Sequence, residues 1–194
     1  MSSSTETAAR PKKRERLIEA AKDEIHARGF AATTIARVAE AADVPLGNVY
    51  YYFKTKDDLV RAVIDDHLDY VDTLLAEASK ADSPARRLDR FLELMADNDE
   101  DVARRGCPLG CLSQDLVKAD GRFENDRSRL FAKQLDWFER QFREAGQNDQ
   151  ARELAVHLLA ATQGASAVCQ ALGQPEILTS ELERARRWLA SAMS

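Results

Sequence analysis

The chain reads as all-α, with an N-terminal three-helix helix-turn-helix domain followed by a larger C-terminal helical domain. Apolar residues recur at three- and four-residue spacing in one segment after another, and no segment alternates as a strand would. Gly and Pro fall between these periodic segments, where helices stop and start. Residues 33–59 hold two short apolar-faced runs joined by a tight turn, and a longer run starts directly behind them.

The first helix is expected from Lys12 to Arg28, burying Leu17, Ala21 and Ile25, with Gly29 as its cap and Phe30 plugging the small core. Ile35, Val38 and Ala39 give the second helix one buried face, and Thr33 or Thr34 offers the hydroxyl that caps it. Asp43 occupies the turn, where a left-handed backbone is needed and Asp tolerates it better than most residues. Pro45 can open the third helix, because the first helical N–H is unpaired anyway. Tyr50 and Phe53 are assigned to the small core, with Tyr51 and Tyr52 outside it.

A long fourth helix follows from Lys56 to Ser79, and Ser83-Pro84 starts a fifth that runs to Asn98. Asn98 to Asp101 reads as a short acidic connection. Pro108 begins a sixth helix ending near Lys118, and a seventh runs to Ala145, stopped by Gly146. The eighth spans Asp149 to Leu172 and the ninth Ile177 to Ala192. The domain boundaries expected are 1–11 for a disordered basic arm, 12–55 for the helix-turn-helix domain and 56–194 for the rest.

Composition limits the alternatives. The 44% apolar and 31% charged residues describe a globular chain, not a disordered or collagen-like one. No apolar run approaches the ~20 residues that span a bilayer, and the N-terminus lacks an apolar signal region, so a cytoplasmic, membrane-free protein is expected. Its three cysteines then read as reduced thiols. The net charge of −5 divides unevenly: residues 1–56 carry 10 Lys/Arg against 7 Asp/Glu, and the remainder 18 against 26. The basic portion coincides with the helix-turn-helix, as phosphate attraction over a screening length of about 10 Å requires. His26, His67 and His157 stand apart without metal-ligand spacing, and no phosphate-cradling glycine loop or nucleophile elbow is present. Neither an enzyme nor a bound metal or cofactor is expected.

Thr33-Thr34, Val38-Ala39, Ala41-Ala42, Val44, Gly47, Tyr50, Tyr52-Phe53-Lys54 and Lys56-Asp57-Asp58-Leu59 together resemble the DNA-binding domain of the TetR family of bacterial repressors. The resemblance covers residues 12–60. It departs at Asp43, where Gly is common, and at Pro45-Leu46, where a Ser or Thr and a polar residue are frequent. It implies a one-component regulator, most simply a repressor, that binds a palindromic DNA operator as a homodimer and is released by a small apolar or electrophilic effector. By analogy, Leu46, Asn48 and Tyr51 face base edges, with Asn48 suited to an adenine edge and Leu46 to a thymine methyl. Gly47 permits close approach, while Thr33, Thr34, Tyr52 and Lys56 contact phosphates.

The resemblance makes the C-terminal domain the place of effector binding and dimerisation. The dimer forms through the last two helices, where Ala160, Ala161, Gly164, Ala165 and Ala167 allow close approach. Phe91, Met95, Leu109, Leu112, Leu116, Phe131, Leu135 and Phe138 are candidates to line the effector cavity, with Gln163 and Gln114 as polar anchors. Cys107 precedes a helix that Pro108 opens and lies near Arg104 and Arg105, a setting that favours thiolate. Cys111 follows one turn later. The pair supports two alternatives, passive lining of the cavity or a thiol sensor of oxidants and electrophiles. A DNA-binding protein without any effector is the third reading.

Overall fold

The computed structural model describes residues 12–119 and 121–193, which are helical without strands. The helices are α1 (Lys13–Ala32), α2 (Ile35–Ala41), α3 (Leu46–Tyr52), α4 (Lys56–Ala78), α5 (Pro84–Ala96), α6 (Asp99–Arg105), α7 (Pro108–Val117), α8 (Glu124–Glu144), α9 (Ala151–Leu172) and α10 (Pro175–Ala192). The expected arm at 1–11 lies outside the described residues. None of the helices is long and apolar enough to cross a membrane.

The chain forms two compact units, divided between Val63 and Ile64. This boundary lies beyond the 55/56 junction read from the sequence, because Leu59 and Val60 on the first turns of α4 are buried with the N-terminal unit. In that unit Leu17, Ile18, Ala21, Ile25, Phe30, Val38, Val44, Val49 and Phe53 form the core. Helix α1 breaks at Gly29, whose φ of 80° suits glycine alone, then adds a last turn that delivers Phe30 inward.

In the second unit α9 packs on α8, α10 and α6, while α5 packs on α8 and α10. The core is aromatic where α5 meets α8: the Phe91 and Phe138 rings meet edge to face at 5.0 Å, with Trp137 beside them. The Trp137 indole N–H donates to Ser79 Oγ at 3.1 Å.

Helix α6 corrects the acidic connection. Asp99, Glu100 and Asp101 occupy its first turn and Arg104 and Arg105 its last, each sign at the favourable end of the helix dipole. Asp101 pairs with both arginines at 3.4 Å, and Ala103 supplies the buried contact. A seven-residue helix with one buried apolar residue leaves no periodicity to detect.

Asp89 on α5 ties that helix to α10. Its carboxylate accepts from Arg186 Nη2 at 3.1 Å and Arg86 Nη1 at 2.6 Å, and Arg186 also reaches Glu93 at 2.9 Å. The bonding with Arg186, opposed by partial burial and aided by the charges of Arg186 and Arg86, holds the Asp89 carboxyl below the usual carboxylate range. A lowered folded-state pKa stabilises above the ordinary value of about 3.9 and is lost as pH falls through the folded value. Asp89→Asn should lower the melting temperature by a few degrees at pH 7, with the gap to the wild type closing below about pH 4. Circular dichroism melts across this range measure it; a gap independent of pH contradicts the assignment.

Candidate functional site

Two features carry chemistry: the surface around α3 in the first unit, and a cavity in the second. The helix-turn-helix geometry is set by caps. Thr34 accepts from the Arg37 backbone N–H at 3.3 Å to start α2. The chain turns at Asp43, with φ of 50°, and Val44 N–H donates to Ala39 O at 2.9 Å. Arg16 of α1 secures this turn from outside. Its guanidinium donates to Ala42 O, to Asp43 O at 2.6 Å and to the Asp43 carboxylate at 3.1 Å. The sequence reading missed Arg16, although a basic residue one position before the buried Leu17 and an acidic turn residue were both visible.

Pro45 is the N-cap of α3, so the helix proper starts at Leu46. Val49 is fully buried and Phe53 nearly so. Leu46, Tyr50, Tyr51 and Tyr52 are exposed by 44, 45, 79 and 37%, and Gly47 and Asn48 are also exposed. Tyr50 is therefore corrected from core to surface: one inward position per turn is available in so short a helix, and Val49 and Phe53 take it. The Tyr51 and Tyr52 rings meet edge to face at 5.1 Å. A Cβ built on Gly47 meets no atom within 4 Å, so nothing inside the chain requires glycine there.

Two of the expected phosphate contacts, Thr33 and Lys56, have partners inside the chain. Thr33 is buried, and its hydroxyl donates to Gly29 O at 3.0 Å, closing the kinked end of α1. Lys56 turns its ammonium to Phe30 O and, at 3.3 Å, Ala31 O, and lies 4.1 Å from the Phe30 ring centroid. That places a cation on the negative end of α1 and on an aromatic face. Lys54, just beyond α3, is exposed, and its Nζ donates to Tyr50 O at 2.7 Å.

The cavity holds about 210 Å³ between α7, α8 and α9 and is lined by Cys107, Gly110, Cys111, Ser113, Gln114, Phe131, Gln163, Ala167 and Gln170. Cys107, Cys111, Phe131, Gln163 and Gln114 were named from the sequence. Leu109, Leu112 and Leu116 form the opposite, buried face of α7, and Phe91 and Phe138 belong to the aromatic core. Met95 and Leu135 are half-buried away from the lining. The apolar periodicity of α7 thus marked its core face, whereas the cavity takes the face between, where Gly110, Ser113 and Gln114 lie. Gln163, Ala167 and Gln170 recur at helical spacing along α9, a pattern that reveals the third wall once α9 is known to flank it.

Gly106 and Gly110 make room for the two α9 amides. Gly106 has φ of 84°, and a Cβ there would collide with the Gln170 amide. A Cβ on Gly110 would stand 3.1 Å from Gln163 Oε1. The Gln170 Nε2 donates to Arg105 O at 2.7 Å, and the Cys111 thiol faces the same carbonyl at 3.6 Å. Burial first, then Cys107 and Asp115, push the Cys111 thiol above its ordinary pKa, which disfavours thiolate. Among the described residues no His, Cys, Asp and Glu cluster is arranged to hold a metal.

Comparison with known proteins agrees with this architecture. Residues 17–63 match the bacterial regulatory proteins of the tetR family, and residues 84–181 match the C-terminal domain of LmrA/YxaF-like transcriptional regulators. The transcriptional regulator AcuR of Cereibacter sphaeroides is 32% identical over 66% of this chain and 60% of its own length. The HTH-type transcriptional repressor Rv3405c of Mycobacterium tuberculosis is 38% identical over half of each chain. The matches to the first curated relatives span only 60–62% of those relatives' length. The crystal structure of SCO4454, a TetR-family transcriptional regulator from Streptomyces coelicolor, shares the fold with a TM-score of 0.83 at 20% identity, over 94% of this chain and 96% of that one. The chain belongs to the TetR family of bacterial regulatory proteins.

Proposed function

We propose that this protein is a cytoplasmic transcriptional repressor that binds a palindromic operator as a homodimer and leaves it when a small molecule occupies the second unit. The exposed face of α3 carries this reading. A neutral, aromatic surface on a short helix, aimed outward by Val49 and Phe53, suits the major groove. Leu46, Asn48 and Tyr51 read base edges, and Gly47 lets the backbone come close. Thr34, Tyr52 and Lys54 hold phosphates, which set register without reading sequence. One short helix covers too few base pairs for genomic specificity, so a second copy is required. The exposed residues Ala160, Ala161, Gly164, Val168 and Leu172 of α9, with α10 beside it, form the dimer contact by analogy with the family.

The effector enters the α7–α8–α9 cavity. It shifts binding only by its differential affinity for the DNA-competent and DNA-incompetent states; about 100-fold release needs about 2.7 kcal/mol. A thiol-sensing alternative is favoured by one observation, that Cys107 and Cys111 line the same cavity.

Fluorescence anisotropy on the DNA upstream of its own gene tests both. Tight binding that weakens steeply with salt supports the repressor. Loss on treatment with a mild electrophile, with recovery by thiol, makes the cysteines the sensor; indifference leaves the non-covalent effector. Salt-insensitive or absent binding to that DNA and to genomic fragments overturns the function.

A further inference from the structure

We propose that the α7–α8–α9 cavity is a site for an uncharged ligand of about one substituted ring, recognised by hydrogen bonds to the amides of Gln163 and Gln114. The inference rests on the effector reading above and names its ligand class. Size comes first. The cavity is partly open to solvent, so its volume of about 210 Å³ sets the part of a ligand that is enclosed, below the ~300–1,000 Å³ of drug-sized pockets and above the ~150 Å³ that accommodates benzene.

Charge comes second. None of the lining residues is Asp, Glu, Lys, Arg or His. Asp115, one turn beyond Cys111, lies outside the lining, and Lys118 approaches it at 3.8 Å. Arg104 and Arg105 pair with Asp101 on α6. An ion entering the cavity would lose part of its hydration with no opposite charge to replace it, a cost that partial opening to solvent reduces but does not remove.

Hydrogen bonding comes third. Among the described residues, the half-buried Gln163 amide makes no hydrogen bond to the protein, nor does the amide of Gln114, which lies at the exposed edge of the lining. Gly110 lets the Gln163 amide lie across α7, and Gly106 does the same for Gln170, whose nitrogen is already committed to Arg105 O. A primary amide offers both donor and acceptor, so it meets neutral carbonyl, amide or hydroxyl groups equally well.

Three isosteric probes separate these claims: benzamide, benzoate and benzamidine at pH 7.5, titrated into the full-length protein without DNA and followed by isothermal calorimetry and ligand-observed NMR. Benzamide should bind in the millimolar range or tighter, and the two ions about tenfold more weakly or not at all. Gln163→Glu should reverse the order in favour of benzamidine, and Gln114→Glu provides the same test if the first variant does not fold. Equal or tighter binding of either ion to the wild type, or no benzamide binding at tens of millimolar, overturns the proposal. Operator affinity is measured separately, so a protein that binds DNA but ignores benzamide refutes the ligand class alone. One that binds benzamide but no DNA refutes the repressor instead.

Discussion

Gly164→Arg should turn the protein into a monomer of 21.7 kDa and reduce operator affinity by about 100-fold or more. The site is chosen because the fold itself is indifferent to it. A Cβ on Gly164 meets no atom within 4 Å, and the residue is exposed on α9. Around it Ala160, Val168 and Leu172 are exposed too, the last two by 48 and 58%. Residues four apart form the ridge that packs into a neighbouring helix's groove. In the dimer proposed above, arginine placed in that ridge would meet its own symmetry copy across the two-fold axis, and like charges would repel where small side chains allow contact. With separated protomers, each half-site is bound on its own and the gain from linkage is lost. Light scattering after size exclusion reads the mass, and circular dichroism confirms that helicity is kept. A variant that stays dimeric at micromolar concentration places the interface elsewhere.

Gly47→Ala should separate folding from DNA binding in the opposite sense. Alanine is the better helix former by about 0.5–1 kcal/mol, and the open space around position 47 imposes no steric cost. The variant should melt slightly higher than the wild type. Its affinity for DNA should fall about tenfold, because the new methyl stands on the α3 face proposed above to approach the groove. Unchanged affinity at several salt concentrations would show that α3 does not come close at this residue.

The helix-turn-helix was legible because its signals are local. Thr34 as a cap and Asp43 in a left-handed turn depend on residues a few positions away. Less was legible where a distant residue decides a side chain's surroundings. The sequence does not show that the end of α1 at the Gly29 kink presents the carbonyls to which Thr33 and Lys56 donate. Tyr50 lost the inward position to Val49, a choice set by the rotation of a seven-residue helix that periodicity does not resolve. The cavity was half legible for a related reason. Apolar spacing locates the core face of α7, so Leu109, Leu112 and Leu116 were drawn into the candidate lining, while Gly106 and Gly110 acquire meaning only once Gln170 and Gln163 lie above them.

Both tryptophans, Trp137 and Trp188, belong to the second unit, whereas three of the four tyrosines cluster on α3. The Trp188 ring lies tilted against the His157 ring at 4.6 Å, and Trp137 sits against Phe91 and Phe138. Intrinsic emission is therefore partitioned by the chain itself. Indole fluorescence follows the cavity-bearing unit, and phenol fluorescence is dominated by α3. A single unlabelled sample can report the melting of each unit separately.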